Sequence, residues 1–214
     1  MDAIKLTAQF VKQKLINAEG GHDWFHIERV WKNAQLISDY EKGNKVVIEL
    51  SSLLHDIADY KFNNGDEQIG PRIAENFLES IHVDRSVIED VIFIVKNISF
   101  KGGHNENIKK SIEFKIVQDA DRLDAIGAIG VARTFNFGGF KGNTIYDPNI
   151  KPNINQSQED YKKSNGTTIN HFHEKLLLIK DLMNTKTAKK LAESRQNFML
   201  DFLEQFHKEW NNSK

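Results

Sequence analysis

Two strong ligand side chains, His55 and Asp56, stand side by side in the otherwise apolar stretch Ser51-Ser52-Leu53-Leu54-His55-Asp56-Ile57-Ala58. Burying a polar group with no partner costs roughly 2–7 kcal/mol, and burying a charge costs more. A divalent cation satisfies a neutral imidazole and a carboxylate together. The alternative is a helix end at which the pair reaches water. Two further candidates frame the pair, His26 about 30 residues upstream and Asp121 a further 65 residues downstream. Two imidazoles and two carboxylates suit Mn²⁺, Mg²⁺, Co²⁺, Ni²⁺, Fe²⁺ or Zn²⁺, with coordination positions left for water and substrate.

Such a set works only if helices hold it. His26 lies in Trp24-Phe-His-Ile-Glu-Arg-Val30, within a pattern that predicts a helix over 24–42 capped by Asp23 and stopped at Gly43-Asn44. His55 and Asp56 fall near the C-terminal end of a predicted helix over 45–58, and Asp121 lies in one over about 109–126. Apolar residues three or four positions away turn each candidate inward. The same periodicity predicts a first helix over 3–17, a fourth from a cap at Asp66 to about Ile81, and a fifth to about Ile98 opened by the capping box Ser86-Val-Ile-Glu89. Helix is expected to continue over 127–136. A long loop rich in Gly, Asn and Pro follows over 137–166, then two closing helices over 168–183 and 185–211, the last capped by Thr185 or Thr187. No segment alternates with period two, so the fold class is all-α, a helical bundle with additional C-terminal helices in one domain over 1–214. A loop of about 30 residues is longer than compact domains ordinarily carry without a functional reason.

Composition narrows the function. The chain of 214 residues is long enough for a substantial core and has no cysteine, which excludes disulfides and thiolate metal sites. Charge is balanced, 29 Lys+Arg against 30 Asp+Glu, so no broad basic face for duplex nucleic acid is expected. No apolar run approaches the ~20 residues that span a bilayer. Met1–Leu15 carries Lys5, Lys12 and Lys14 through an amphipathic pattern unlike a signal peptide. The expectation is a cytoplasmic protein with no membrane partner. Its amphipathic terminal helices are compatible with a homodimer.

The order His26, His55-Asp56, Asp121 resembles the HD-domain superfamily of metal-dependent phosphohydrolases. His-x-x-Arg-Val over 26–30 resembles its first motif, Leu-Leu-His-Asp-Ile over 53–57 its second, and Ala-Asp-Arg-Leu over 120–123 its last, a likeness covering roughly 20–135. Gln118 through Arg133, followed by Asn170-His-Phe-His-Glu-Lys-Leu-Leu177, resembles a bacterial subgroup of stand-alone HD hydrolases linked to Mn²⁺-dependent nucleoside triphosphate pyrophosphohydrolysis. The resemblance implies a metal held by His26, His55, Asp56 and Asp121, Mn²⁺ first among the candidates. It also implies hydrolysis of a nucleoside triphosphate to monophosphate and pyrophosphate. The alternatives are a phosphomonoesterase on nucleoside monophosphates or other small phosphate esters, a nucleotide-binding module without turnover, and a di-iron oxygenase needing His82 and His104 as extra ligands.

Phosphoryl transfer depends on positioning and charge stabilisation, so cations should line the pocket. Arg29, three residues after His26, is the catalytic candidate, and Arg122, Arg133 and Lys175 are expected to bind substrate; surface or intramolecular ion pairs are the alternative for each. Asp59, one helical turn beyond His55, would orient a ligand or carry a proton, the alternative being a helix-end carboxylate that reaches solvent. Asp124 could share the face of Asp121, whereas Asp119 should point roughly opposite, to solvent. His104, in the Gly-rich loop 99–107, is a candidate substrate or second-metal contact, and His82 a surface turn residue. One metal is favoured over two. His22 suits the pocket rim or a cap. His171 and His173 diverge by ~200° on a helix and cannot share one ion; His207 is expected at the surface. Phe137 and Phe140 are expected as core or loop anchors, with base stacking the alternative.

Overall fold

A computed structural model of the chain describes residues 2–16, 23–58, 68–98, 108–154 and 166–212. Among these there is helix, turn and loop but no strand, so the all-α expectation holds. The contacts divide the chain into two compact units, Met1–Asp121 and Arg122–Lys214.

The first unit contains α1 (Ala3–Lys14), α2 (Trp24–Glu41), α3 (Lys45–Leu54), α4 (Ile69–Ser80), α5 (Arg85–Asn97) and most of α6 (Ile112–Asp124). Each of the first three helices starts at a side-chain cap: Asp2 accepts from the Ile4 N–H, Asp23 from His26, and Asn44 from Val46 and Val47. The turn between α2 and α3 needs positive φ at Lys42 and Gly43, which is why Gly43-Asn44 stops one helix and starts the next. α3 is the centre of the unit and packs on α1, α2 and α5. Its composition fits that place, since Val47, Ile48, Leu50, Leu53 and Leu54 are all buried. A carboxylate pins it to α2: Glu49 accepts from Trp31 Nε1 and Gln35 Nε2, both at 2.8 Å.

Several expected boundaries move. α3 ends at Leu54, so His55 and Asp56 lie on the turn just beyond the helix instead of inside it. α5 opens after Asp84, and Ser86 sits inside the helix without capping it; Arg85 instead bonds Glu75, Glu79 and Glu89 across the surface. Asp66, the expected cap of α4, and His22 lie outside the described residues. Asp119 is fully buried, contrary to the expected solvent position. Gln118, Ala120, Leu123 and Asp124 are buried as well, so α6 has no wide solvent face at this level and a helical wheel cannot assign one.

The second unit comprises the end of α6, α7 (Gly127–Lys141), α8 (Thr168–Glu174), a 3-10 helix (Leu176–Leu182) and α9 (Lys186–Trp210). α9 packs on α7 and on the 3-10 helix, and α8 touches both of those elements. α7 runs on to Lys141, so the expected loop over 137–166 starts five residues late, at the left-handed Gly142. One of the glycines that suggested a loop, Gly138, serves packing instead. A Cβ on Gly138 would lie 2.4 Å from Thr168 Oγ1, so only glycine lets α7 approach the start of α8. Phe137 and Phe140 are exposed, each under the Lys141 ammonium, instead of anchoring the core. The expected helix over 168–183 breaks at Lys175 into α8 and the 3-10 helix, and Thr185 is the cap of α9, accepting from Ala188. No helix among the described residues is long and apolar enough to cross a membrane.

Candidate metal centre

The site is built at two helix ends of the first unit. His26 lies in the first turn of α2, where its own N–H donates to the Asp23 carboxylate at 2.9 Å. The cap therefore fixes the backbone from which the imidazole projects, and the ring is buried. His55 is the C-cap of α3. Consecutive residues on a helix point about 100° apart. His55 keeps helical backbone angles, φ −57° and ψ −28°, and the chain tightens just past it, where the Ile57 N–H donates to the Leu54 carbonyl at 3.2 Å. One ligand atom from each of His26, His55 and Asp56 lies within 4.8 Å of the others.

The tautomer of His55 is determined by its neighbour. Nδ1 lies 2.8 Å from the Ser52 carbonyl, which can only accept, so Nδ1 carries the proton and Nε2 the lone pair. Nε2 is buried and has no hydrogen-bond partner among the described residues. A buried acceptor of this kind is costly unless something binds it. The two imidazoles meet edge to face with centroids 5.3 Å apart. From α6, Asp121 brings Oδ1 to 3.6 Å from His26 Nε2 and 3.8 Å from His55 Nε2, and its side chain remains 40% exposed. Convergent imidazole and carboxylate donors around an unsatisfied lone pair, with no thiolate, fit a divalent cation.

The four expected ligands thus come from α2, the turn after α3, and α6, and meet in one unit. Arg29 follows one turn after His26 on α2 and is half-buried. Asp59 and His104 lie outside the described residues. His82 occupies a left-handed position, φ 59°, where the chain leaves α4 through Glu79 and Leu78 carbonyl bonds, and it is exposed, as a turn residue should be. The other four candidates belong to the second unit. Asp124 is buried and its carboxylate receives Arg133 Nη1 at 2.5 Å, while Arg133 also donates to the Asp124 carbonyl. Arg122 donates to the Leu182 carbonyl. Lys175 is exposed at the junction of α8 and the 3-10 helix. Burial holds His171 neutral, lowering it to about 4 with help from the Lys175 charge. His173 shifts down by burial and by its neighbour His207, whose half-buried ring packs on Tyr146 and Phe206.

Two contributors had no place in the sequence reading. The Ser52 carbonyl orients His55 through its backbone, which no residue type announces. Asn33 donates to the Ala120 carbonyl, the residue before Asp121, at 3.3 Å. Its signal was present, since Asn33 lies seven residues after His26 and so on the same stripe of α2.

This all-helical fold and this cluster of His and Asp side chains are those of an HD protein, and the comparisons agree. The HD domain family matches residues 24–126. The uncharacterised protein YpgQ of Bacillus subtilis is 38% identical over 203 residues, spanning 94% of this chain and 90% of that protein. The crystal structure of an HD-superfamily hydrolase from Bacillus thuringiensis is 46% identical, with a TM-score of 0.79 over 97% of this chain and 96% of the other. A crystal structure of B. subtilis YpgQ in complex with ADP is 34% identical, with a TM-score of 0.78 over 97% and 94% of the two chains. The chain belongs to the HD-domain superfamily, among the HD-superfamily hydrolases.

Proposed function

We propose that this protein is a divalent-metal-dependent phosphohydrolase that splits nucleoside triphosphates, ribo or deoxyribo, into nucleoside monophosphate and pyrophosphate. The observation that carries the reading is the buried, unpartnered Nε2 of His55 facing His26 and the carboxylates of Asp56 and Asp121. His26, His55 and Asp56 would hold the ion, with Asp121 beside them, and Mn²⁺ suits the mixed nitrogen and oxygen donors. When bound, such an ion polarises a phosphoryl oxygen and lowers the pKa of water. The chain's own part is geometric and electrostatic. The Ser52 carbonyl keeps the His55 lone pair aimed inward. The half-open carboxylate of Asp121 is accessible to a water or a phosphate-bound proton. Arg29, on the His26 helix, would offset charge on the phosphoryl oxygens. In the balanced reaction, water oxygen bonds to the α-phosphorus, the bond to the bridging oxygen of the β-phosphate breaks, and pyrophosphate leaves.

The ADP held by B. subtilis YpgQ supports a nucleotide as the substrate class. One incubation tests the proposal: metal-stripped protein supplied with Mn²⁺ and a mixture of ribo- and deoxyribonucleoside triphosphates, products separated by ion exchange, with His55→Ala as control. Monophosphate and pyrophosphate, lost in the variant, are expected. No product, or orthophosphate alone, would discard this reaction, and phosphate monoesters would then be the substrates to supply. Turnover unchanged in His55→Ala would remove the site.

A further inference from the structure

α2 meets its neighbours along two stripes. Trp31 and Gln35, four residues apart, bond Glu49 and fasten α2 to α3, the helix that ends at His55. His26, Val30, Asn33 and Ile37 follow the other stripe at spacings of three and four. Val30 and Ile37 are buried, and the two polar members both reach α6: His26 Nε2 lies 3.6 Å from Asp121 Oδ1, and Asn33 Nδ2 donates to the Ala120 carbonyl at 3.3 Å. Apolar burial of Phe114, Ile116 and Val117 holds α6 in place without direction, whereas the two separated polar contacts add directional constraints on its rotation and slide against α2. The acceptor is the peptide carbonyl next to Asp121, so moving that peptide moves the carboxylate. The carbonyl can keep its intrahelical bond, because a carbonyl oxygen has a second lone pair.

We propose that Asn33 is a positioning residue for the metal centre: through the Ala120 carbonyl it sets where α6 presents Asp121 to His26 and His55. This rests on the metal reading of the site and is independent of which substrate is hydrolysed. A bond that already holds Asp121 in its binding position lowers the cost of ordering the site when the ion arrives, so metal affinity and the Asn33 bond are linked. A single hydrogen bond is worth about 0.5–1.5 kcal/mol net, equivalent to a roughly two- to tenfold change in an equilibrium constant.

The test is Mn²⁺ affinity, read from the electron paramagnetic resonance signal of free Mn²⁺ without any substrate. Asn33→Leu keeps the volume and removes the donor to the Ala120 carbonyl. Its Mn²⁺ dissociation constant should rise about three- to tenfold, and Asn33→Gln, which restores an amide donor on a longer arm, should recover part of that loss. The stabilisation of the fold by saturating Mn²⁺ should shrink in the same order. An affinity within twofold of the parent, with a lowered melting temperature, would make Asn33 merely structural and overturn the proposal. Should Asn33→Leu fail to fold, the parent protein supplies the readout: diamagnetic Zn²⁺ should shift the Asn33 side-chain amide resonances in nuclear magnetic resonance spectra, and unmoved resonances overturn the proposal. A parent that binds no divalent ion overturns the metal centre and this inference together, whereas one that binds Mn²⁺ but hydrolyses no triphosphate refutes only the proposed substrate.

Discussion

Arg133→Met separates structure from substrate binding in the second unit. The Asp124 side chain is only 2% exposed, and Arg133 Nη1 lies 2.5 Å from its Oδ2. Removing one partner of a buried ion pair costs about 3–5 kcal/mol, because the remaining charge keeps its desolvation penalty without compensation. Arg195 moderates the loss. Burial lowers its pKa, but the field of Asp124 opposes that shift, so a second guanidinium stays within electrostatic reach of the carboxylate. The lower end, about 3 kcal/mol, is therefore expected. For a chain of this size that is a fall of roughly 6–12 °C in melting temperature. Urea denaturation followed by circular dichroism measures it directly. The double variant Asp124→Leu/Arg133→Met should be far less destabilised than Arg133→Met, since buried pairs exchange for apolar residues at little cost, and the cycle should show a coupling near 3 kcal/mol, or about that order. A variant Arg133→Met within ~1 kcal/mol of the parent would refute this reasoning. If that stable variant also lost nucleotide turnover, Arg133 would be a substrate contact.

Three smaller perturbations follow from other contacts. Gly138→Ala should destabilise by about 1–3 kcal/mol through overpacking, because the new methyl meets Thr168 Oγ1 at 2.4 Å, and Thr168→Ala added to it should restore melting temperature. Asn44→Ala should cost about 1 kcal/mol in chemical denaturation by uncapping α3, since Asn44 Oδ1 serves two N–H groups of that helix. Stability should also depend on pH through His171, held down to about 4 by burial first and Lys175 second. The unfolded imidazole binds a proton near pH 6.5, so the unfolded state takes up more protons in between. The contribution is complete above the unfolded value and is lost as pH falls from there toward 4. His173 acts in the same direction. Urea midpoints measured between pH 7.5 and 4.5 should fall less steeply in His171→Asn, and identical slopes would exclude His171 as a source.

The candidate ligands were legible because their chemistry is rare in apolar sequence. Asp23 before Trp24 announced a helix start and caps as expected, whereas Asn44, read only as part of a stop, also caps the next helix. What stayed hidden was decided by tertiary contact. The Gly138-Gly139 pair reads as a loop by composition, yet both lie inside α7, where the close approach of Thr168 leaves room only for glycine at 138. Asp119 looked solvated because a wheel assumes one wet face, while α6 is enclosed around Asp119 and Asp124 as well as around Ala120 and Leu123. Ser86 matched a capping pattern, but the helix had already begun at Arg85. Arg133 looked like a pocket cation because the sequence shows no sign of Asp124 nine residues before it as a buried counter-charge.

The bond from His55 to the Ser52 carbonyl bears on how this centre tolerates sequence change. The group that aims the imidazole is a peptide oxygen, which every amino acid supplies. Substitution at position 52 cannot delete it; only a change in the backbone path can. Ser52 is buried and its hydroxyl donates to the Ile48 carbonyl, so any small residue that preserves the last turn of α3 preserves the aim of His55. The ligand's orientation is inherited from the helix end and not from a particular neighbour. Mutational drift around the centre should therefore alter its rim long before it misdirects the histidine.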